Sequence, residues 1–281
     1  MKLLALSCLA AVVLITGSAA PEQSDLTAVA PFKIAGNLYY VGTSDPTAFL
    51  FTSNAGHILV DTTYERSAPL VADSIRALGF KLEDVRVILS SHAHLDHVGG
   101  HALMKKLTGA QVVATAQDAV NLESGGAKAF HQVGGFPPVT VDRRLKDGDT
   151  VQLGGTTLTA HLLPGHTEGN TAWTTTVDEN GRRYGVLIAP SMSINPGVKM
   201  VNNPAWPGVA DAYRSSFTRL KAMRCEIFLG PHAGFFDLPA KRKRQQAGTA
   251  DAFVDPPGYL AFLDSLEKKY LDQVQQERAG R

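Results

Sequence analysis

Apolar residues in this chain fall mostly in short runs bounded by Gly, Pro, Asn and Asp, with few long helical stripes. Runs of that length predict strands at 32–34, 38–41, 48–52 and 57–60, with Ser53-Asn54-Ala55-Gly56 turning between the last two. After Asp61 a helix is predicted over 65–78, closed by Gly79. A buried strand at 85–89, a short helix at 102–107, a strand at 111–114 and a short helix over 116–122 complete a first block. Residues 124–138 carry Gly125-Gly126, Gly134-Gly135 and Pro137-Pro138 with no core face, the pattern of a long functional loop. A second block places strands at 144–145, 150–153, 156–163, 172–177 and 184–188, the last two around Asp178-Glu179-Asn180-Gly181. A helix at 210–223, a strand at 225–229 and an amphipathic helix at 259–276 follow. Two β-rich blocks, each followed by helices, predict an α+β fold: two sheets face to face with helices outside, an αββα sandwich. No linker divides residues 21–281, which read as one domain.

The N-terminus changes this picture. Lys2, an apolar run from 3 to 15 and Ser18-Ala19-Ala20 form a secretory signal over residues 1–20, which implies export to the periplasm. The run is too short for a membrane span, and no later stretch is long enough. Losing Lys2 with the leader leaves 26 basic against 26 acidic side chains. That balance offers no footprint for nucleic acid or an anionic membrane, and the chain is expected to act as a monomer. Lys241-Arg242-Lys243-Arg244 is the one basic run and reads as a solvated helix face. Cys8 leaves with the leader, so Cys225 has no internal partner and reads as a small buried apolar residue.

The chemistry is concentrated just past the 85–89 strand, in His92-Ala93-His94-Leu95-Asp96-His97, followed by Gly99-Gly100 for a tight turn. Imidazole nitrogen and carboxylate oxygen suit zinc without a thiolate. His92 and His94, two apart on extended backbone, point the same way, whereas Asp96 and His97 lie past the bend. Two adjacent metal positions follow, each begun by one pair. His166 in Leu163-Pro164-Gly165-His166-Thr167 and His232 in Leu229-Gly230-Pro231-His232 repeat the logic of strand, tight turn and imidazole. His92, His94 and His166 would hold one zinc, and Asp96, His97 and His232 the other, each with an open position as in catalytic sites. His57 and His161 read as structural, His101 as a helix-start residue, and His131 as a loop residue.

With these ligands in place the chain resembles the metallo-β-lactamase superfamily, whose zinc ligands match the H-x-H-x-D-H motif, His166 and His232 in order and spacing. The resemblance covers essentially the whole mature chain. Glyoxalase II, ribonuclease Z and many lactonases carry a metal-bridging aspartate after the strand that here reads Tyr184-Gly185-Val186-Leu187-Ile188-Ala189; Pro190-Ser191-Met192-Ser193 follow, with no acid. The first β-lactamase subclass has a cysteine ligand where this chain has Ser191, and the second resembles N-x-H where this chain has His92-Ala93-His94. What remains resembles the third subclass of class B β-lactamases, also through residues 199–204 and 211–217. Gly165-His166-Thr167-Glu168-Gly169-Asn170 departs from the family's usual G-H-T-P-G-S.

The resemblance implies two Zn2+ per chain, roughly 3.5–4 Å apart, sharing a hydroxide that attacks the β-lactam carbonyl of penicillins, cephalosporins or carbapenems. Asp96 would orient that hydroxide, Ser191 and Ser193 would bind the substrate carboxylate, and residues 124–138 and 43–47 would wall the cleft. The alternative is another secreted dinuclear zinc hydrolase, a lactonase or phosphodiesterase; a serine hydrolase fails because no G-x-S-x-G occurs.

Overall fold

A computed structural model of the chain describes residues 27–280; the leader expected at 1–20 lies outside them. A seven-stranded sheet is formed by β1 (Phe32–Ala35), β2 (Leu38–Tyr40), β3 (Phe49–Phe51), β4 (His57–Val60), β5 (Val85–Leu89), β6 (Gln111–Thr115) and β7 (Arg143–Leu145), in that order. Pairing is antiparallel from β1 to β4 and parallel from β4 to β7. A five-stranded sheet runs β12-β11-β10-β9-β8, from β8 (Thr150–Leu153), β9 (Thr156–Leu162), β10 (Thr171–Glu179), β11 (Arg182–Ile188) and β12 (Ile227–Leu229). Only the β11–β12 pair is parallel there.

Helices α1 (Ala68–Ala77), α2 (Leu95–Val98), α3 (His101–Thr108) and α4 (Ala116–Ser124) belong to the first half; α5 (Val209–Ala222), α6 (Leu238–Gln246) and α7 (Pro256–Arg278) belong to the second. The two faces of the central strands go to different cores. Phe49, Phe51, Ile58, Val60, Leu89 and Val113 join the core between the sheets. Their neighbours Leu50, Leu59, Ile88 and Val112 pack against α1 and α3 in a second core. Strands buried on both faces need continuous apolar runs, which is why these segments do not alternate. The result is the αββα sandwich. Trp173 of β10 locks the layers together, donating from Nε1 to Ser90 O at 3.0 Å.

Three local expectations are corrected. Residues 143–145 pair with β6 and close the first sheet, although they follow the long loop and were assigned to the second block; a three-residue strand has too little pattern to declare its sheet. Only half of the basic run is a solvated face: Lys243 and Arg244 are exposed, Lys241 and Arg242 are not. Lys241 is 1% exposed, its Nζ 3.1 Å from Asp255 Oδ2 and over the Phe228 ring, while Arg242 lies 4.2 Å over Phe32. The long aliphatic stems of these side chains cover apolar surface, and the ion-pair partner comes from the start of α7. Gly99 and Gly100 do not make a left-handed turn, having φ of −55° and −83°. They allow close approach instead: a Cβ on Gly99 would sit 2.7 Å from Glu65 N, and one on Gly100 2.6 Å from Thr62 O. Cys225 is buried, just ahead of β12, and burial pushes its thiol up to about 12.

Among the described residues, no helix is long and apolar enough to cross a membrane.

Candidate metal centre

The parallel arrangement brings the C-terminal ends of β4, β5 and β6 to one edge, and β11 and β12 end together in the other sheet. The motif leaves β5 at Leu89 and continues through Ser90 and Ser91. His94 has extended backbone and precedes the single turn of α2, which carries Asp96 and His97. His166 follows β9, and His232 follows β12 on an extended residue ahead of a short 3-10 turn over Ala233–Phe236.

All six sequence-predicted ligands converge. One ligand atom from each of His92, His94 and His166 lies within 4.8 Å of the others, as one metal ion requires. A second group of the same tightness joins His92, Asp96 and His97. His92 therefore stands between the two positions, its ring 4.3 Å from that of His97. His232 flanks the second group, its Nε2 3.7 Å from Asp96 Oδ2 and its ring 4.8 Å from His97. Asp96 is the only carboxylate in either group among the described residues. The end of β11, where a metal-bridging acid would stand, holds Ala189, Pro190 and the buried Ser191.

Hydrogen bonds fix which imidazole nitrogen is free. Ser91 is the key hydroxyl of the motif loop: its Oγ donates to Asp61 Oδ2 at 2.6 Å, so it accepts from His92 Nδ1 at 3.2 Å. Asp61 also accepts from Ser91 N at 2.7 Å. His166 Nδ1 donates to Ser193 O at 2.8 Å. His232 Nδ1 lies 3.1 Å from Asp45 Oδ2, and Asp45 Oδ1 accepts from Ala233 N at 2.8 Å. In each case Nε2 is left facing the cluster. His92 Nε2 and both nitrogens of His97 are buried with no hydrogen-bond partner, although His97 Nε2 is 3.1 Å from Asp96 Oδ2. Orphaned buried nitrogens are costly, and a cation would satisfy them. Nitrogen and carboxylate donors in this number fit zinc.

Burial keeps these rings neutral. It drives His166 down to about 4 and His92 and His94 well below the ordinary imidazole value, so their lone pairs are available. Burial opposes ionisation of Asp96 too, but the adjacent His97 holds its carboxyl well below the usual carboxylate range. Burial likewise lowers His97, and Asp96 more than offsets it, so His97 is raised.

Three acids that sequence reasoning missed brace the centre: Asp45, Asp61 and Asp118. Asp61 follows the apolar run of β4, the one signal that pointed at the sheet edge. Asp118 looks like an ordinary first-turn residue of α4 behind its Thr115 cap. Burial pushes Asp61 up to about 6 and Asp118 up to about 7. Thr47 of the 43–47 loop bonds Gly230 O and Pro231 O, so that loop braces the His232 turn.

Ser191 Oγ lies 3.1 Å from Ser193 Oγ, and Ser193 alone of the pair is partly exposed. His101 opens α3 and uses both ring nitrogens, on Thr62 Oγ1 at 2.7 Å and Ser90 Oγ at 3.0 Å; burial lowers it to about 3. His131 lines a cavity of about 270 Å³ with Phe130, Lys199 and Asn203. His57 packs edge-on against Phe80, and His161 Nε2 meets Thr174 Oγ1 at 2.7 Å.

Comparison with known proteins adds four findings. A family model described as the metallo-beta-lactamase superfamily matches residues 41–178. The native FEZ-1 metallo-beta-lactamase from Legionella gormanii is 41% identical, with 90% of this chain and 98% of that chain covered and a TM-score of 0.88. The class B3 di-zinc metallo-beta-lactamase LRA-12 from an Alaskan soil metagenome is 35% identical over 92% of this chain and 98% of that one, with a TM-score of 0.86. Among curated proteins, a hydroxyacylglutathione hydrolase of Hyphomonas neptunium is 36% identical over 86 residues, 31% of this chain. The chain covers 27% to 43% of the length of the curated relatives it matches.

Proposed function

The chain belongs to the metallo-beta-lactamase superfamily, and from that membership we propose that it is a zinc-dependent hydrolase of the β-lactam amide bond, of the B3 type. The observation that carries this reading is the pairing of a three-histidine set with Asp96, His97 and His232, and no acid at the end of β11. Likeness to B3 enzymes over nine-tenths of the chain supports it.

His92, His94 and His166 would hold one zinc, and Asp96, His97 and His232 the second. Bound zinc supplies Lewis acidity toward a carbonyl oxygen and lowers the pKa of water toward ~7. The chain's own residues set the stage for that chemistry. Asp96, kept ionised by His97, accepts a hydrogen bond from the attacking water and orients it. The neutral rings of His92, His94 and His166 offer nitrogen without bringing positive charge that would repel a cation. Ser193, at the exposed end of the Ser191–Ser193 pair, donates to the carboxylate of the substrate, and Ser191 holds its hydroxyl in place. The apolar leader at 1–20 supports a periplasmic site of action.

The partial likeness to hydroxyacylglutathione hydrolase favours one competing reading, thioester hydrolysis. Turnover of a chromogenic cephalosporin, a carbapenem, an acyl-homoserine lactone and a hydroxyacylglutathione thioester, each with zinc and with EDTA, separates the readings. β-Lactam opening that EDTA abolishes is expected. Turnover of the lactone or thioester alone would replace the proposal.

A further inference from the structure

Asp118 is 1% exposed, and its carboxylate is spent on two backbone amides from separate loops. Oδ2 accepts from Ala93 N at 2.9 Å, and Oδ1 accepts from Gly169 N at 3.1 Å. Ala93 lies between His92 and His94, on the loop that leaves β5 of the seven-stranded sheet. Gly169 lies three residues past His166, between β9 and β10 of the five-stranded sheet. One buried carboxylate thus ties together the two loops that carry the three-histidine set, and those loops come from different sheets.

The far loop is built for this contact. A Cβ on Gly169 would stand 2.4 Å from Cγ and Oδ1 of Asp118, so only glycine lets the peptide come this close. The same residue is held from its carbonyl side, where Thr115 Oγ1 and Thr171 Oγ1 donate to Gly169 O at 3.0 and 2.7 Å. Thr171 N in turn donates to Ser91 O at 2.8 Å, next to His92. The other ligand set is braced elsewhere: Asp96 and His97 ride on α2, and His232 rests on Asp45.

We propose that Asp118 is a positioning residue that sets the three-histidine site by pinning Ala93 to Gly169, and that its effect stops at that site. This rests on the dinuclear reading above. The physical basis is that a metal ion accepts its ligands within a few tenths of an ångström, and Asp118 is the side chain that joins the peptide between His92 and His94 to the loop of His166, where the Thr171–Ser91 and Trp173–Ser90 bonds tie only the strand ends beside them. An asparagine has the shape of Asp118 but one acceptor oxygen where two are used, so Asp118→Asn turns one of the two amides toward an NH2 group.

The test is stepwise zinc binding, by competition with a chromogenic chelator, on the wild type, Asp118→Asn, Gly169→Ala and Asp45→Asn. The expected result is a loss of about 10–100-fold in one of the two zinc steps for Asp118→Asn, with the other step unchanged. Gly169→Ala, which pushes a methyl group into the same carboxylate, reproduces that loss. Asp45→Asn weakens the other step. A merely structural role would weaken both steps together. Equal loss in both steps, no loss, or loss in the step that Asp45→Asn weakens would overturn the inference. Uptake of a single zinc by the wild type would sink the dinuclear reading instead. Asp118 would then stand or fall on whether that single step weakens.

Discussion

The two halves of the candidate centre are built on different principles. His92, His94 and His166 are buried, neutral and fixed before any metal arrives, by backbone and hydroxyl partners: Ser193 O, Ser91 Oγ and, through the loops, Asp118. Asp96 and His232 are partly open, with side-chain exposures of 19% and 26%, and they are arranged by carboxylate–imidazole contacts: Asp96 beside His97, and Asp45 beside His232. A site of neutral rings in a preformed frame tolerates little displacement and depends on loop register. A site held by carboxylates on partly open imidazoles depends on those side-chain partners. One centre therefore fails in two distinguishable ways.

The harshest way to break the comparison is to remove a ligand from the preformed half. His94→Ala should reduce cephalosporin hydrolysis to background in a folded protein, because no neighbouring nitrogen can replace it. Survival of turnover would move the chemistry elsewhere. Asp45→Asn probes the carboxylate-braced half more gently. It should cost about 10–100-fold in affinity for one zinc and leave the other bound, as read by metal content during stepwise chelation.

Acid sharpens the contrast in the metal-free protein. Burial holds His101 at about 3 and His166 at about 4, while an unfolded histidine titrates near ~6.5. Below about pH 6.5 the unfolded chain binds protons that the folded chain refuses, so stability present above that pH is lost as pH falls toward 4 and 3. His92 and His94, lowered in the same direction, add to the loss. Asp61 and Asp118, raised to about 6 and about 7 by burial, oppose it, since the folded chain takes up those protons first. His161, also lowered by burial, adds to the loss, and His97, which Asp96 raises, opposes it; five histidines against two carboxyls and one histidine leave a net fall in melting temperature from pH 7 to pH 4. A flat or rising profile would show that the rings are not buried neutral.

The smallest effect belongs to the rim. Ser193→Ala should raise KM for a penicillin by roughly fivefold, about 1 kcal/mol for one hydrogen bond, with kcat little changed. An unchanged KM would remove Ser193 from substrate binding.

Much of this was legible in the sequence, and the boundary has a physical reason. The short apolar runs of β3, β4 and β5 betrayed strands, and the H-x-H-x-D-H motif after one of them marked the sheet edge. His166 and His232 were found because each repeats a local device, an imidazole on the turn past a strand. Asp45 and Asp118 were missed because they act across the chain, through a ring 187 residues away and a peptide 51 residues away. Nothing local to Asp45-Pro46 or to the first turn of α4 announces those partners. Lys241 was misread for the same reason: its run looks solvated until Asp255 and Phe228 are brought to it by the fold. Gly99-Gly100 was correctly seen as important, yet for a turn, when the need is room for the 62–65 backbone.

Anomalous scattering at the zinc edge, from crystals grown with zinc, tests the central claim most directly. Two peaks are expected in each chain, one enclosed by His92, His94 and His166 and the other by Asp96, His97 and His232, with no second carboxylate between them. A single peak, or His166 or His232 turned away from both, would contradict it.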